Sequence, residues 1–293
     1  MDGKLLANLF AVYVIWGSTY LAMGICVEQL PPMLMAAARF AAAGGVLLAI
    51  ALRMGAKLPP ARDWWRSVPV AVCLFVGGNG FIAIAEQTVP TGGSAVVAAM
   101  MPLWAGVLGR FFGVRATPRE WLALVIGFVG VVVLMGGPSL EGRPLHIVLL
   151  TIAPASWALG SLLARRTKDI GGAHATLIGP ALQMLTGSVA LFVCAMIRRE
   201  SWPAHASSGA YLSLLYLFTF GSLIGFTAYG WLLRNTRPVV ATSYAYVNPV
   251  LAVLLGAALR SESLGWTTVV ANVLIVTAIM LVLRKPRSGP KVA

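Results

Sequence analysis

The sequence predicts an all-α integral membrane protein with ten transmembrane helices, arranged as two inverted five-helix repeats. Two observations predict this fold: ten apolar segments follow one another along the 293 residues, and the last five echo the first five. A helix needs about 20 apolar residues to cross the hydrocarbon core of a bilayer. Because five crossings is an odd number, the second copy must enter the membrane upside down, a plan that recurs in secondary transporters.

Each predicted span is an apolar run that ends at turn residues, and the loops between runs are too short for a soluble domain. Pro31-Pro32 and Pro59-Pro60 mark two of these loops. The first run is too long for a signal peptide and precedes no cleavage site, so it is interpreted as a span. The spans are residues 4–24, 33–52, 66–86, 93–113, 119–137, 145–163, 174–197, 211–233, 239–259 and 265–283, in repeats 1–138 and 139–293.

Composition supports a membrane protein and argues against other classes. Hydrophobic residues make up 59% of the chain and charged residues 11%, whereas soluble domains have about 25% charged residues. The net charge is +13, but the basic residues lie in short loops between spans, so we exclude nucleic acid and expect the lipid bilayer as partner. Cys26, Cys73 and Cys194 are too far apart to indicate a disulfide framework or a zinc site, and no metal or cofactor is expected.

The basic residues also predict the orientation. With the N-terminus inside, the inside segments hold 17 lysines and arginines and the outside loops hold 4, while Arg39 lies within the second span. Cytoplasmic loops are enriched in lysine and arginine, so both termini are predicted to be cytoplasmic. The alternation supports ten spans, since a missed or additional span would scramble it.

The repeat is visible as an ordered series of residue matches with nearly constant spacing. The separations stay between 141 and 148 residues. Chance could produce one such match, but not an ordered series with nearly constant spacing. In this series Trp16 corresponds to Trp157, Arg39 to Gln183, Pro102 to Pro249 and Trp121 to Trp266.

Several of these residues resemble the pattern of the EamA family, a branch of the drug/metabolite transporter superfamily. The resemblance covers nearly the whole chain and depends on the order of its motifs, each of which is weak alone. It implies ten helices from two EamA repeats and efflux of neutral or aromatic amino acids, or of related small metabolites, across the bacterial inner membrane. The matching residues are Ile15-Trp16-Gly17-Ser18-Thr19, Arg39-Phe40, Pro102 and Pro249.

Two ionisable residues lie near the outer ends of predicted spans. Arg39 is in span 2 and Glu86 closes span 3 on the same side. An ionisable residue inside the membrane costs about 2.5–3.5 kcal/mol at a helix centre, so it indicates function by default. The two side chains could pair. Either they form a gate or a contact for a substrate carboxylate, or they form a structural ion pair.

Aromatic and polar residues in spans 1, 3, 6 and 8 are candidates for the wall of a substrate cavity. Trp16 and Tyr20 belong to one aromatic stripe, and Trp157 is the counterpart of Trp16 in the inverted copy. Asn79 lies among three glycines, which let a ligand or a backbone approach closely. Tyr229 is on a stripe with Ser222 and Phe226. For all of these, ordinary helix packing is the alternative interpretation.

Span 9 presents two nearly opposite faces, and only one of them can line a cavity. Tyr244 and Asn248 share one face, while Thr242 and Tyr246 lie on the other. We select Thr242 and Tyr246 as cavity residues. Pro102 and Pro249 are predicted helix kinks in matching positions, because proline frees a carbonyl one turn earlier. A static kink is the alternative for each.

The sequence thus predicts a secondary transporter that works by alternating access on a small-molecule substrate. It lacks a P-loop and a zinc-protease motif, and no acidic residue lies deep in a span, which favours facilitated diffusion or exchange and argues against an enzyme. An exporter of drugs or purine metabolites, with or without proton coupling, stays open, as do an intramembrane enzyme and a scaffold. A monomer would suffice, and a dimer stays open too.

Overall fold

The computed structural model describes residues 3–134, 142–251 and 266–283, and these residues are helical with no strand. Several helices begin with proline in the first turn, where its missing N–H costs nothing. Gly55 and Gly113 follow helix ends with φ of 90° and 76°, a region that favours glycine. The helices are α1 Gly3–Val27, α2 Pro32–Arg53, α3 Ala61–Ala85, α4 Gly93–Phe112, α5 Pro118–Leu134, α6 Pro144–Arg166, α7 Gly172–Ile197, α8 Ser208–Asn235, α9 Pro238–Thr242 with residues 244–251, and α10 Trp266–Leu283.

Seven of the described helices are long and apolar enough to cross a membrane, namely α1 to α4 and α6 to α8. They coincide with seven of the predicted spans. The helices α5, α9 and α10 occupy the positions of the other three. The last residues of predicted spans 119–137 and 239–259, the first residue of span 265–283, the repeat boundary at 138–139 and the basic residues after 283 lie outside the described residues.

The ends of the helices gather at two sides. One side, named here the basic side, contains the connections between helices at residues 53–61, 110–118, 166–174 and 235–238. There the Arg66 guanidinium lies 2.9 Å from the Asp169 carboxylate, and Arg237 lies 2.8 Å from Glu120. At the opposite side Gln29 donates to Ser207. In the described part of the chain, each of these contacts joins loops or helix ends that the sequence predicts to share a side.

Helices at matching positions of the two halves pack side by side in antiparallel directions. In the pair α2 and α7, Ala51 clusters with Ile178 at one end, while Met33 and Leu191 meet beside Gly80 at the other. The pair α5 and α10 runs the same way, with Arg119 donating to the Leu281 carbonyl near one end. Antiparallel packing of corresponding helices is what an inverted repeat requires.

Two π-helical segments interrupt α3 and α8, and the sequence analysis did not foresee them. They are Val72–Gly80 in α3 and Leu217–Ile224 in α8, so they start 145 residues apart at matching positions. A π-helix is rare and frequently lies at a functional site. Both segments lie beside the aromatic centre of the molecule.

Candidate functional site

The centre of the molecule is a cluster of aromatic rings around Trp16. Its ring centroid lies 5.4 Å from that of Trp157, 5.2 Å from Phe226, 4.9 Å from Tyr229 and 4.8 Å from Tyr244. These rings come from α1, α6, α8 and α9. Aromatic pairs at such distances and tilted angles stabilise each other beyond simple burial. The structure thus brings together the predicted residues Trp16, Trp157 and Tyr229.

Both indole N–H groups in this cluster are already hydrogen bonded. Trp16 Nε1 donates to the carbonyl oxygen of Gly221 at 3.0 Å, within the π-helical part of α8. Trp157 Nε1 donates to the Tyr229 hydroxyl at 3.1 Å, and that hydroxyl shares a second bond of 2.6 Å with Ser161. The indoles therefore offer ring faces and edges to a ligand, and their donors fix the ring orientation.

Two matching glycines let the tryptophans approach the neighbouring helices. A Cβ atom on Gly78 of α3 would lie 2.5 Å from Cε3 of Trp157, and one on Gly225 of α8 would lie 2.4 Å from Nε1 of Trp16. Such distances are too short for real Cβ atoms. Each tryptophan therefore packs against a glycine in the half of the chain opposite to its own.

A cavity of about 60 Å³ borders this cluster, and we name it the central cavity. This volume has room for only a few water molecules. The cavity extends from the aromatic cluster toward the side opposite the basic side. It is lined by Trp16, Thr19, Tyr20, Met23, Arg39, Asn79, Ile82, Met101, Trp157, Gly221, Phe226, Tyr244 and Asn248.

The end of the central cavity away from the tryptophans is polar. Arg39 is 4% exposed and donates from Nη2 to Oδ1 of Asn79 at 2.8 Å. Its guanidinium carbon also lies 4.2 Å from the centroid of the Phe40 ring, a distance typical of a cation–π contact. Arg39 Nε has no hydrogen-bond partner among the described residues. The polar end of the cavity therefore carries a buried positive charge.

The predicted pairing of Arg39 with Glu86 is not formed, and this corrects the sequence analysis. Arg39 binds Asn79 instead, and both carboxyl oxygens of Glu86 are buried without a hydrogen-bond partner in the described part of the chain. Asn79 lies within the π-helical segment of α3, whereas Glu86 follows the last helical residue of α3, Ala85. Glu86 lies near enough to Tyr20 to interact with it electrostatically.

The choice between the two faces of span 9 also needs correction. Tyr244 and Asn248 line the central cavity, whereas Thr242 and Tyr246 do not. Thr242 donates to the Pro238 carbonyl of its own helix, and Tyr246 donates to the Leu124 carbonyl of α5 at 2.9 Å. Sequence alone could not select the face, because both faces combine aromatic and polar residues and the position of α5 decides between them.

The two predicted kinks differ. The regular helix of α4 is interrupted at residues 99–100, directly before Met101 and Pro102. In α9 the interruption is at Ser243, well before Pro249, which lies within helical residues 244–251. Helices α4 and α9 are thus both broken, but only the break in α4 adjoins its proline.

A second, smaller cavity of about 20 Å³ lies nearer the basic side, and we name it the basic-side cavity. Its wall includes Ala164, Gln183 and Gly230. By the spacing of the repeat, these positions correspond to Met23, Arg39 and Ile82 of the central cavity. The basic-side cavity is therefore the counterpart of the central cavity in the other half of the chain.

Contacts to backbone carbonyls close the basic side around this smaller cavity. Arg165 donates to the carbonyls of Leu233 and Thr236, and Arg234 donates to the carbonyl of Ala175. We name these the basic-side contacts. They join α6 to α8 and α8 to α7, so that the three helices cannot separate there without breaking charged hydrogen bonds.

A surface ion pair adds to the closure of the basic side. Both guanidinium nitrogens of Arg66 donate to Asp169 at 2.9 Å. These hydrogen bonds, supported by the positive charge of Arg66, hold the pKa of the Asp169 carboxyl below its usual range. Since Asp169 is largely exposed, solvent screens most of the energy of this pair.

Comparisons with known proteins agree with this architecture. The family model described as "EamA-like transporter family" matches residues 3–136 and 144–284. The "Uncharacterized inner membrane transporter YedA" of Escherichia coli K12 is 42% identical over 280 residues, which cover 95% of this chain and 90% of YedA. "Protein PecM" of Dickeya dadantii is 27% identical and covers 93% and 91% of the two chains. A protein of known crystal structure has the same fold, with a TM-score of 0.77 at 20% identity, over 97% of this chain and 98% of that one.

Proposed function

The chain belongs to the EamA-like transporter family, and from this premise we propose that it exports small metabolites across the bacterial inner membrane. The substrate class we propose is neutral or aromatic amino acids. The observation that carries the proposal is the central cavity, in which an aromatic wall faces one buried cation. An apolar wall with a few polar groups suits a small ligand that has an apolar body and a polar end.

The proposed architecture has ten transmembrane helices in two inverted repeats, residues 1–138 and 139–293, with both termini cytoplasmic. The antiparallel pairs α2 with α7 and α5 with α10 support the inversion, and so do the matched π-helical segments. The excess of lysine and arginine on the basic side supports its cytoplasmic location. The name of the Escherichia coli relative supports the inner membrane.

The mechanism we propose is alternating access between the central cavity and the basic-side cavity. In the conformation described here, the basic-side contacts keep the cytoplasmic half closed. Transport requires these contacts to break while the opposite half closes around Tyr20 and Arg39. Inverted repeats supply two such conformations from one architecture. The cycle involves no catalysis or cofactor, and one chain suffices.

Facilitated diffusion or exchange is the energy source we favour. Proton-coupled export, of a drug or purine metabolite as well as of an amino acid, is the second candidate, and Glu86 is the observation that favours it. Its carboxyl oxygens are buried and have no hydrogen-bond partner in the described part of the chain. Such a carboxyl can gain and lose a proton during a conformational cycle.

Counterflow in liposomes tests the proposal. The purified chain is reconstituted, and uptake of labelled phenylalanine or tryptophan is measured without a proton gradient. The variant Trp16→Ala/Trp157→Ala is compared with Trp65→Ala/Trp266→Ala, since the latter removes two tryptophans that are 76% and 78% exposed. We expect saturable uptake that only the first variant abolishes.

Three other results would count against parts of the proposal. Absence of uptake for every amino acid would exclude the substrate class and leave drugs and purines to be tested. Uptake only under an imposed pH gradient would exclude uncoupled transport. Equal loss in both double variants would remove the central cavity as the site.

A further inference from the structure

The buried charge of Arg39 lacks a partner of opposite sign. The ion pairs in the described part of the chain involve Arg66, Arg198 and Arg237, and Arg39 forms none of them. Its one hydrogen bond goes to a neutral acceptor, Oδ1 of Asn79. An uncompensated buried cation is costly, and it persists where something other than stability requires it.

A second buried polar side chain, whose hydrogen bonding is incomplete, lies in the wall of the same cavity. Asn248 is 2% exposed; its Nδ2 and Oδ1 form no well-aligned hydrogen bond among the described residues, and the polar group that its side chain approaches is the Tyr20 hydroxyl. It lies on α9, while Arg39 lies on α2, and both line the central cavity. Buried polar groups normally have partners, so two incompletely bonded groups around one cavity indicate a missing ligand.

The fold itself does not require a charge at this position. Gln183 is the counterpart of Arg39 in the second repeat, where it lines the basic-side cavity. At these matching positions, the first half of the chain has a cation and the second half has a neutral amide. The charge of Arg39 distinguishes the two cavities, which is expected of a ligand-binding group.

The chemistry of the site limits the class of ligand. A guanidinium presents parallel N–H donors that match a carboxylate, and Nε of Arg39 still has its donor free. One arginine compensates one negative charge, which suits a carboxylate better than a phosphate ester. The Trp16 and Phe226 rings at the other end of the cavity fit an apolar body.

We infer that Arg39 binds the carboxylate of the transported substrate, with Asn79 as a positioning residue and Asn248 as a second polar contact. This inference rests on the proposed function and deepens it. It states that the carboxylate, rather than the amine, is the group that the site recognises.

Binding of three related probes to the purified protein tests the inference. Phenylalanine has both groups, 3-phenylpropionate has only the carboxylate, and phenethylamine has only the amine. We expect phenylalanine and 3-phenylpropionate to bind, and phenethylamine to bind roughly tenfold to a hundredfold more weakly, the range of a charged hydrogen bond. Calorimetry or quenching of tryptophan fluorescence measures the affinities.

Variants separate a binding role of Arg39 from a structural one. Arg39→Gln introduces the residue that the other repeat carries, so we expect it to fold and to lose the preference for carboxylates while its affinity for phenethylamine is unchanged. Arg39→Lys should regain part of the affinity, and Asn79→Ala should weaken carboxylate binding less than Arg39→Gln does. Arg143→Gln removes an exposed charge on the same side as a control.

The outcomes distinguish this inference from the function it rests on. Equal affinity of phenylalanine and phenethylamine, unchanged in Arg39→Gln, would overturn the inference and leave amino-acid transport intact. Binding of 3-phenylpropionate alone would support Arg39 as the carboxylate site but overturn amino acids as substrates. Failure of all three probes to bind would overturn both.

Discussion

The central cavity and the basic-side cavity are built from corresponding helices, yet they differ in size and charge. The central cavity has about 60 Å³ and contains Arg39, whereas the basic-side cavity has about 20 Å³ and contains Gln183 at the matching position. The difference in size reflects the bonds of Arg165 and Arg234 that close the basic side. The difference in charge does not depend on conformation, because it follows from the residue types at positions 39 and 183. In the proposed mechanism, closure and substrate recognition therefore depend on different residues.

The largest effect is expected where the two halves meet at the tryptophans. Gly78→Val and Gly225→Val would each place side-chain atoms in the space that Trp157 or Trp16 occupies. We expect a loss of transport and a decrease of about 1–3 kcal/mol in the free energy of unfolding, as is typical of overpacking. Gly45→Val is the control, because a Cβ there meets nothing within 4 Å. Thermal unfolding in detergent and counterflow measure both effects. Tolerance at Gly78 and Gly225 equal to that at Gly45 would contradict the symmetric packing.

A smaller effect is expected from the basic-side contacts. Arg165→Gln removes the donor to the carbonyls of Leu233 in α8 and of Thr236 just after it, and a charged hydrogen bond contributes about 1.5–3 kcal/mol. We expect the basic-side cavity to open roughly tenfold more often. The rate of maleimide labelling of a Gln183→Cys reporter, in a chain whose three cysteines are replaced by serine, measures the opening.

Arg166→Gln is the matched control for this experiment. It removes a neighbouring positive charge that stacks 4.4 Å from the centroid of the Phe112 ring. If both variants raised the labelling rate equally, general loss of charge would explain the opening, and the basic-side contacts would have no specific role.

The two faces of α9 give a third, weaker test. Asn248→Ala alters the wall of the central cavity, and we expect the dissociation constant for the substrate to rise roughly threefold to tenfold, as for one lost hydrogen bond. Thr242→Ala removes a bond within α9 that lies away from the cavity. We expect it to change stability by about 1 kcal/mol and affinity not at all. The reverse pattern would restore the face chosen from the sequence.

The smallest effect concerns the ion pair of Arg66 and Asp169. Because hydrogen bonding to Arg66 lowers the pKa of Asp169 in the folded state, the pair stabilises the fold above the usual carboxyl pKa of about 4. This contribution disappears as the pH falls through the lowered pKa. We expect Asp169→Asn to cost about 0.2–1 kcal/mol at pH 7, and the cost to shrink as the pH falls through the lowered pKa. Thermal unfolding against pH checks this, with Glu28→Gln as a control on the opposite side. A constant difference at all pH values would exclude the pair as its cause.

Much of the fold could be predicted from the sequence, because long apolar runs and basic loops constrain it strongly. Spans 1 to 4 and 6 to 8 coincide with helices that can cross a membrane. The match of Trp16 with Trp157 likewise predicted that the two rings lie close together, and their centroids are 5.4 Å apart. These predictions depend on composition and spacing, which the sequence carries directly.

The details of the candidate site could not be predicted, because they depend on contacts between helices that are distant in the sequence. The partner of Arg39 is Asn79 rather than Glu86, and Asn79 lies in a π-helical segment that side-chain propensities do not distinguish from an α-helix. The glycines at 77, 78 and 80 were the available signal. In α9, contact of Tyr246 with Leu124 selects the packed face, and only the folded chain contains that contact.

The matched π-helical segments also bear on how the two proposed repeats arose. A π-helical turn accommodates one residue more than an α-helical turn, so a one-residue insertion into an α-helix is its simplest origin. Val72–Gly80 and Leu217–Ile224 start 145 residues apart, within the spacing of the repeat. Two independent insertions at the same place are less economical than one insertion in a five-helix ancestor that was later duplicated. If one insertion preceded the duplication, a relative that has a single repeat should carry a π-helical turn at the same place.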